Sequence, residues 1–113
     1  MLPGARFRRI IHFMEKKSYE KRPCVYMLLC SDNSLYTGWT NDMPSRLRQH
    51  SSGKGAKYTR SRLPVTPVYV EFADDKSAAV RREAAIKKLS AEKKRELISS
   101  EYNMIGLIRE FLF

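Results

Sequence analysis

Two tyrosines, Tyr26 and Tyr36, precede an arginine and a histidine four positions apart, Arg46 and His50. Residues spaced by four share one face of a helix, so this guanidinium and this imidazole can project together. Such a pair can clamp a phosphate, the arginine as a permanent bidentate donor and the histidine as a titratable one. A solvated helix face uses the same spacing, so the pair acquires meaning only from the elements around it.

Those elements begin with Val25 to Cys30, apolar on both faces and therefore a central strand covered on both sides. Ser31-Asp32-Asn33 supplies turn residues, and Leu35 to Trp39 continues as a second strand. A three-residue loop with Asn33 in the left-handed conformation pairs Cys30 with Ser34, Leu28 with Tyr36 and Tyr26 with Gly38. Tyr26 and Tyr36 then lie diagonally on one face, whereas a four-residue loop separates them. Gly38 reads as an open spot for close approach by a ligand or another backbone, or as a bulge. Asn41 or Thr40 caps a helix starting near Asp42, and Pro44 falls in its first turn, where backbone N–H groups lack intrahelical partners.

Beyond this unit, Ser51 to Pro67 carries Lys54, Lys57, Arg60 and Arg62 with Tyr58 among them and no acidic residue. It reads as a loop whose cations track a phosphate backbone and whose tyrosine offers a stacking platform, with Arg60 and Arg62 the first candidates for substrate contact. Val68 to Ala73 alternates as a third strand. Asp74 or Asp75 caps a helix over Ser77 to Leu89, with Ala78, Val80 or Arg81, Ala84, Ala85 and Leu89 outlining its apolar stripe. Glu83 and Lys87 fall on another face, an ion pair of a few tenths of a kcal/mol. Ser90 caps a short helix from Ala91 to Ile98. Met104, Leu107, Ile108, Phe111 and Leu112 form a last amphipathic helix that packs on the chain's own core, with a second copy or another protein as the next reading of its apolar face. Phe7, Ile10, Ile11 and Met14 have helical spacing too, beside Arg6, Arg8 and Arg9.

The chain has 113 residues, one domain's worth, with 22 Lys and Arg against 12 Asp and Glu and a net charge of +10. That excess points to a polyanion, either nucleic acid or an acidic membrane surface. Cys24 and Cys30, six positions apart in one strand, are roughly 20 Å from each other and cannot form a disulfide. They read as reduced, buried thiols of a cytoplasmic protein. With His12 and His50 they have no usual zinc-ligand spacing.

The sequence resembles the GIY-YIG nuclease superfamily. Val25-Tyr26 stands where the family has Ile-Tyr, Tyr36-Thr37-Gly38 where it has Tyr-Ile-Gly, and Arg46 and His50 match its helix arginine and following histidine. Cys24 replaces the first glycine. Among its members the chain looks most like short stand-alone bacterial proteins carrying GKGAKYT, here Gly53 to Thr59, and REAAIKKLS, here Arg82 to Ser90. The resemblance runs from Pro23 to Ile98, dividing the chain into a basic extension (1–22), the nuclease-like domain (23–98) and a C-terminal helix (99–113). It implies an α+β fold, a small three-stranded antiparallel sheet flanked by helices. It also implies a metal-dependent endonuclease acting on nucleic acid, DNA ahead of RNA. Glu83 matches the family's metal ligand for one Mg²⁺ or Mn²⁺. Tyr26, Tyr36, Arg46 and His50 complete the implied catalytic set, and Lys87 joins the basic loop as a nucleic-acid contact.

Overall fold

Strand β1 (Cys24–Leu29) has no solvent face: every side chain from Cys24 to Leu28 is buried. It occupies the centre of a three-stranded antiparallel sheet ordered β2-β1-β3, where β2 is Leu35–Thr40 and β3 is Thr66–Phe72. The computed structural model describes residues 21–112, so the amphipathic segment expected at Phe7 to Met14 lies outside it. The helices are α1 (Met43–Ser51), α2 (Lys57–Arg60), α3 (Lys76–Lys87), α4 (Ala91–Ile98) and α5 (Ile105–Leu112). The fold is therefore α+β, as the sequence implies.

The hairpin closes through the expected turn. Cys30 N donates to Ser34 O (2.9 Å), and Asn33 takes a left-handed φ of 68°, a region asparagine tolerates. Asp32 fixes the turn by accepting from the Ser34 amide (3.0 Å) and hydroxyl (2.5 Å). The register follows: Tyr26 opposes Gly38 and Leu28 opposes Tyr36.

Alternation along β1 then builds two cores. Cys24, Tyr26 and Leu28 pack with Val70, with Met43 and Leu47 of α1, and with Ile105 and Ile108 of α5. Val25 and Met27 pack with Tyr69 and with Ala79 and Ile86 of α3, backed by Leu97 and Ile98 of α4. Truncating a side chain buried at this level, such as Leu28→Ala, costs about 2–5 kcal/mol. Pairing of β1 with β3 shifts between Met27 and Leu28, so Val68 is bulged out. Asn103 satisfies the disturbed backbone: its amide donates to Val68 O (2.8 Å) and Ile98 O (2.9 Å) and accepts from Val70 N (3.2 Å). Met104 N adds a bond to Val70 O (2.7 Å), which ties the segment entering α5 to the sheet.

Three expectations are corrected. Asp42, not Asn41 or Thr40, caps α1, accepting from Ser45 N at 3.1 Å. The stretch from Ser51 to Pro67 is not all loop: α1 runs through Ser51, Lys57 to Arg60 form a helical turn, and β3 begins at Thr66. In α3 the buried stripe is Ala79 and Ile86, while Ala84 and Ala85 are exposed and Val80 is 41% exposed. Glu83 lies four residues after Ala79 and three before Ile86, so it belongs to the sheet-facing stripe. Among the described residues no helix is long and apolar enough to cross a membrane.

Candidate active site

The hairpin presents Tyr26 and Tyr36 on the face covered by α1, with ring centroids 6.3 Å apart. Helix α1, started by its Asp42 cap and by Pro44 in the first turn, projects Arg46 and His50 from the same side toward them. His50 Nε2 is 2.8 Å from the Tyr26 hydroxyl, and Arg46 Nε donates to that oxygen at 3.3 Å. The His50 ring also lies edge-on to Tyr36, 5.2 Å between centroids. Four of the five residues implied as catalytic are thus brought together.

Tyr26 is wholly buried, whereas Tyr36 is only partly so. Burial pushes the Tyr26 phenol above its ordinary pKa of 10, although the hydrogen bond from Arg46 works the other way. Tyr26 therefore keeps its proton at neutral pH. His50 is pushed down to about 4, chiefly by burial and secondarily by the Arg46 charge, so it is a neutral imidazole at pH 7. Desolvation works against Arg46, yet the hydrogen bond to Tyr26 and the nearby Tyr26 and Tyr36 hydroxyls raise its pKa above the usual value. Its Nη1 donates to Gln49 Oε1 at 2.8 Å, leaving further N–H groups of the fork free for an anion.

Gly38 is not an open spot. A Cβ there would lie 2.6 Å from the Tyr26 hydroxyl oxygen and 2.7 Å from Cζ, so the glycine exists to let the Tyr26 ring lie across β2. Gly53, at φ +80°, turns the chain out of α1, and a side chain on Gly55 would run into the His50 ring. The backbone thereby presses α2 against α1 and sets the Thr59 hydroxyl 2.8 Å from His50 Nδ1. Thr59 and Gly55 were both legible in the GKGAKYT motif, but their purpose was not, because the contact spans separate elements.

The basic segment divides. Lys54, Lys57 and Arg60 are exposed. Arg62 instead holds Asp32 at 3.0 Å, donates to Tyr58 O at 2.9 Å and lays its guanidinium 3.8 Å from the Tyr58 ring centroid. Tyr58, 38% exposed, also stacks on Tyr36 at 6.1 Å, so its ring is part of an aromatic row and not a bare platform. Beside Arg46, a cleft of about 330 Å³ is lined by Trp39, Thr40, Asn41, Asp42, Ser45 and Gln49.

Glu83 stands apart from these groups. It makes no hydrogen bond to the tyrosines, Arg46 or His50; its carboxylate, with the side chain 18% exposed, has Lys87 at 3.7 Å. Helix α3 is locked in place by Arg82, which grips Glu71 of β3 with two hydrogen bonds (2.7 and 3.1 Å), and Glu71 also accepts from Tyr69. The register of β2 directs Thr37 to the face that α3 covers, and its buried hydroxyl has no partner. Among the described residues no group of three or more His, Cys, Asp or Glu could hold a metal. A lone carboxylate with one loose lysine nevertheless fits Mg²⁺ or Mn²⁺, which take one or two carboxylates and complete their shell with water and phosphate oxygens.

Residues 22–106 match the GIY-YIG catalytic domain, more than half of the chain. A UPF0213 protein of Clostridium perfringens is 54% identical over 77 residues, covering 68% of this chain and 83% of that one. A UPF0213 protein of Syntrophus aciditrophicus is 55% identical over 75 residues, covering 66% and 86%. A protein from E. faecalis with a solution NMR structure aligns over 70% of this chain and 84% of that chain, with 41% identity and a TM-score of 0.50.

Proposed function

This chain belongs to the GIY-YIG family, and on that premise we propose that it hydrolyses phosphodiester bonds in nucleic acid, DNA in the first instance, with one divalent metal bound at Glu83. The observation that carries this reading is the convergence of Arg46 and His50 on the Tyr26 hydroxyl with Tyr36 alongside, on a strongly basic chain. When bound, Mg²⁺ or Mn²⁺ supplies positive charge against the phosphate oxygens.

Hydrolysis adds water across a P–O bond, with the hydroxyl going to phosphorus and a proton to the leaving oxygen. Arg46 stabilises the charge that builds on the phosphorus oxygens, using N–H groups not spent on Tyr26 and Gln49. Tyr36, the more accessible tyrosine, orients the attacking water. Tyr26 is sealed from solvent and stays protonated, so it acts by holding Arg46 and His50 in place. His50 is a neutral acceptor for the Tyr26 proton. Lys54, Lys57 and Arg60 carry the sequence-independent part of binding.

The test is incubation with single-stranded, duplex, nicked and branched DNA and with RNA, in Mg²⁺, Mn²⁺ or EDTA, beside Arg46→Ala and Glu83→Ala. Metal-dependent cleavage that both variants lose is the expected result. Equal cleavage by all three proteins, or binding by all three with no cleavage of any substrate, sinks the nuclease reading and leaves a binding module.

A further inference from the structure

The hydrogen bonds around His50, buried at its ring and part-buried at the two ends, form a single file: Arg46 Nε to Tyr26 Oη (3.3 Å), Tyr26 Oη to His50 Nε2 (2.8 Å), His50 Nδ1 to Thr59 Oγ1 (2.8 Å), and Thr59 Oγ1 to Ala56 O (3.0 Å). The two ends have fixed polarity, since a guanidinium nitrogen only donates and a carbonyl only accepts. With a neutral imidazole, each of the four donors brings one proton to one contact. Only one arrangement fills every contact: Arg46 donates to Tyr26, Tyr26 to His50, His50 to Thr59, and Thr59 to Ala56.

The opposite tautomer fails twice. With the proton on Nε2, the ring donates to the Tyr26 oxygen, and the phenol proton of a fully buried side chain loses its acceptor. The Thr59 hydroxyl must then turn to Nδ1, which leaves its oxygen against the Ala56 carbonyl with no proton between them. Each buried, unsatisfied polar contact costs about 1–3 kcal/mol, so the first arrangement dominates.

We propose that Thr59 is a positioning residue: by accepting from Nδ1–H, it fixes the His50 tautomer that leaves Nε2 open to the Tyr26 phenol proton. Gly55 is its accomplice, since a side chain there would occupy the space of the His50 ring and hold α2 away. The remaining neighbours of the ring, Tyr36 at 5.2 Å and the Arg46 charge, do not compete for Nδ1. The proposal rests on the nuclease reading for its kinetic consequence alone.

The experiment uses 15N-labelled protein carrying His12→Gln, which leaves one histidine. Long-range 1H–15N correlation at pH 7 should place Nε2 at the shift of an unprotonated ring nitrogen and Nδ1 at that of a protonated one. Thr59→Val, nearly the same shape without the acceptor, should move the ring toward the Nε2–H tautomer, and Thr59→Ser should restore the parent pattern. On a cleaved substrate, kcat of Thr59→Val should fall roughly 10- to 100-fold, the scale on which losing an orienting partner of a histidine acts, with the Kd for DNA unchanged. Nε2–H in the parent protein, or a Thr59→Val ring that keeps Nδ1–H in full, overturns the proposal. If Thr59→Val does not fold, the parent and Thr59→Ser spectra decide it. Expected nitrogen shifts in a protein that cuts nothing overturn the nuclease reading and uphold the tautomer; wrong shifts with cleavage intact do the reverse.

Discussion

Replacing Gly38 by alanine adds one methyl group at the most crowded point of the site. The new Cβ would lie 2.6 Å from Tyr26 Oη, 2.7 Å from Cζ and 3.1 Å from Cε1, closer than carbon atoms tolerate. Gly38 itself is in an ordinary strand, so alanine meets no backbone penalty and the whole effect falls on the tyrosine ring. That ring cannot swing aside cheaply, because it is fully buried and its hydroxyl is held by His50 at 2.8 Å and Arg46 at 3.3 Å. Overpacking of this kind costs about 1–3 kcal/mol, and losing one of the hydrogen bonds adds about 1 kcal/mol. Urea denaturation of Gly38→Ala should therefore show a loss of about 2–4 kcal/mol, with cleavage impaired in parallel. A double-mutant cycle isolates the cause: with Tyr26→Leu already in place, Gly38→Ala should cost little, giving a coupling energy close to the single-variant loss. A Gly38→Ala protein within about 0.5 kcal/mol of wild type, or an equal loss in both backgrounds, refutes the reasoning.

The His50 imidazole makes stability pH-dependent. Its pKa is 6.5 when unfolded and about 4 in the fold, so between these values the unfolded chain binds a proton that the folded chain refuses. The contribution is complete above pH 6.5 and is lost as pH falls toward 4; going from pH 7.5 to 5 should remove about 2 kcal/mol in urea titrations, and His50→Gln should remove this dependence. Arg46→Ala should lower kcat on the order of 10²-fold, and Arg46→Lys should not restore it, because an ammonium cannot hold Tyr26 and Gln49 while facing a phosphate. Glu83→Gln should abolish metal-dependent cleavage while changing stability by less than about 0.5 kcal/mol, since its partner Lys87 is 3.7 Å away and 52% exposed. Arg60→Ala should reduce the slope of log K for DNA against log salt by ~0.9 without destabilising the protein. Arg62→Ala should lower stability instead, because it breaks the contacts with Asp32 and Tyr58.

What could be read in the sequence was whatever local chemistry determines. The hairpin register follows from loop length and from side chains that alternate with period two, so Tyr26 opposite Gly38 is what a three-residue loop dictates, and the structure decides against the four-residue alternative. The α1 pair Arg46 and His50 follows from helical spacing in the same way. What escaped was settled by contacts between distant segments. Gly38 looked vacant because its occupant, the Tyr26 ring, crosses from the neighbouring strand. The α3 stripe misled because Ala84 and Ala85 are apolar but too small to need burial, while Glu83, charged, sits among the inward-facing positions. A single turn such as α2 is too short to show periodicity at all. Thr59 is an ordinary threonine in the sequence and becomes specific only against Nδ1 of His50.

The cluster from Tyr26 to Thr59 is drawn from one uninterrupted run of chain, hairpin, α1 and α2, whereas β3, α3 and α5 come from later residues. Contacts that are short along the chain close with less loss of entropy and therefore sooner. We expect the phenol, guanidinium and imidazole to find one another early in folding, before the Asn103 and Met104 bonds to β3 dock α5 against the core beside Tyr26. Pulsed hydrogen exchange during refolding should then protect the amides of β1 and β2 ahead of those in α5. On that order the clamp would be built first, and the carboxylate that would bring the metal would arrive with the later half of the chain.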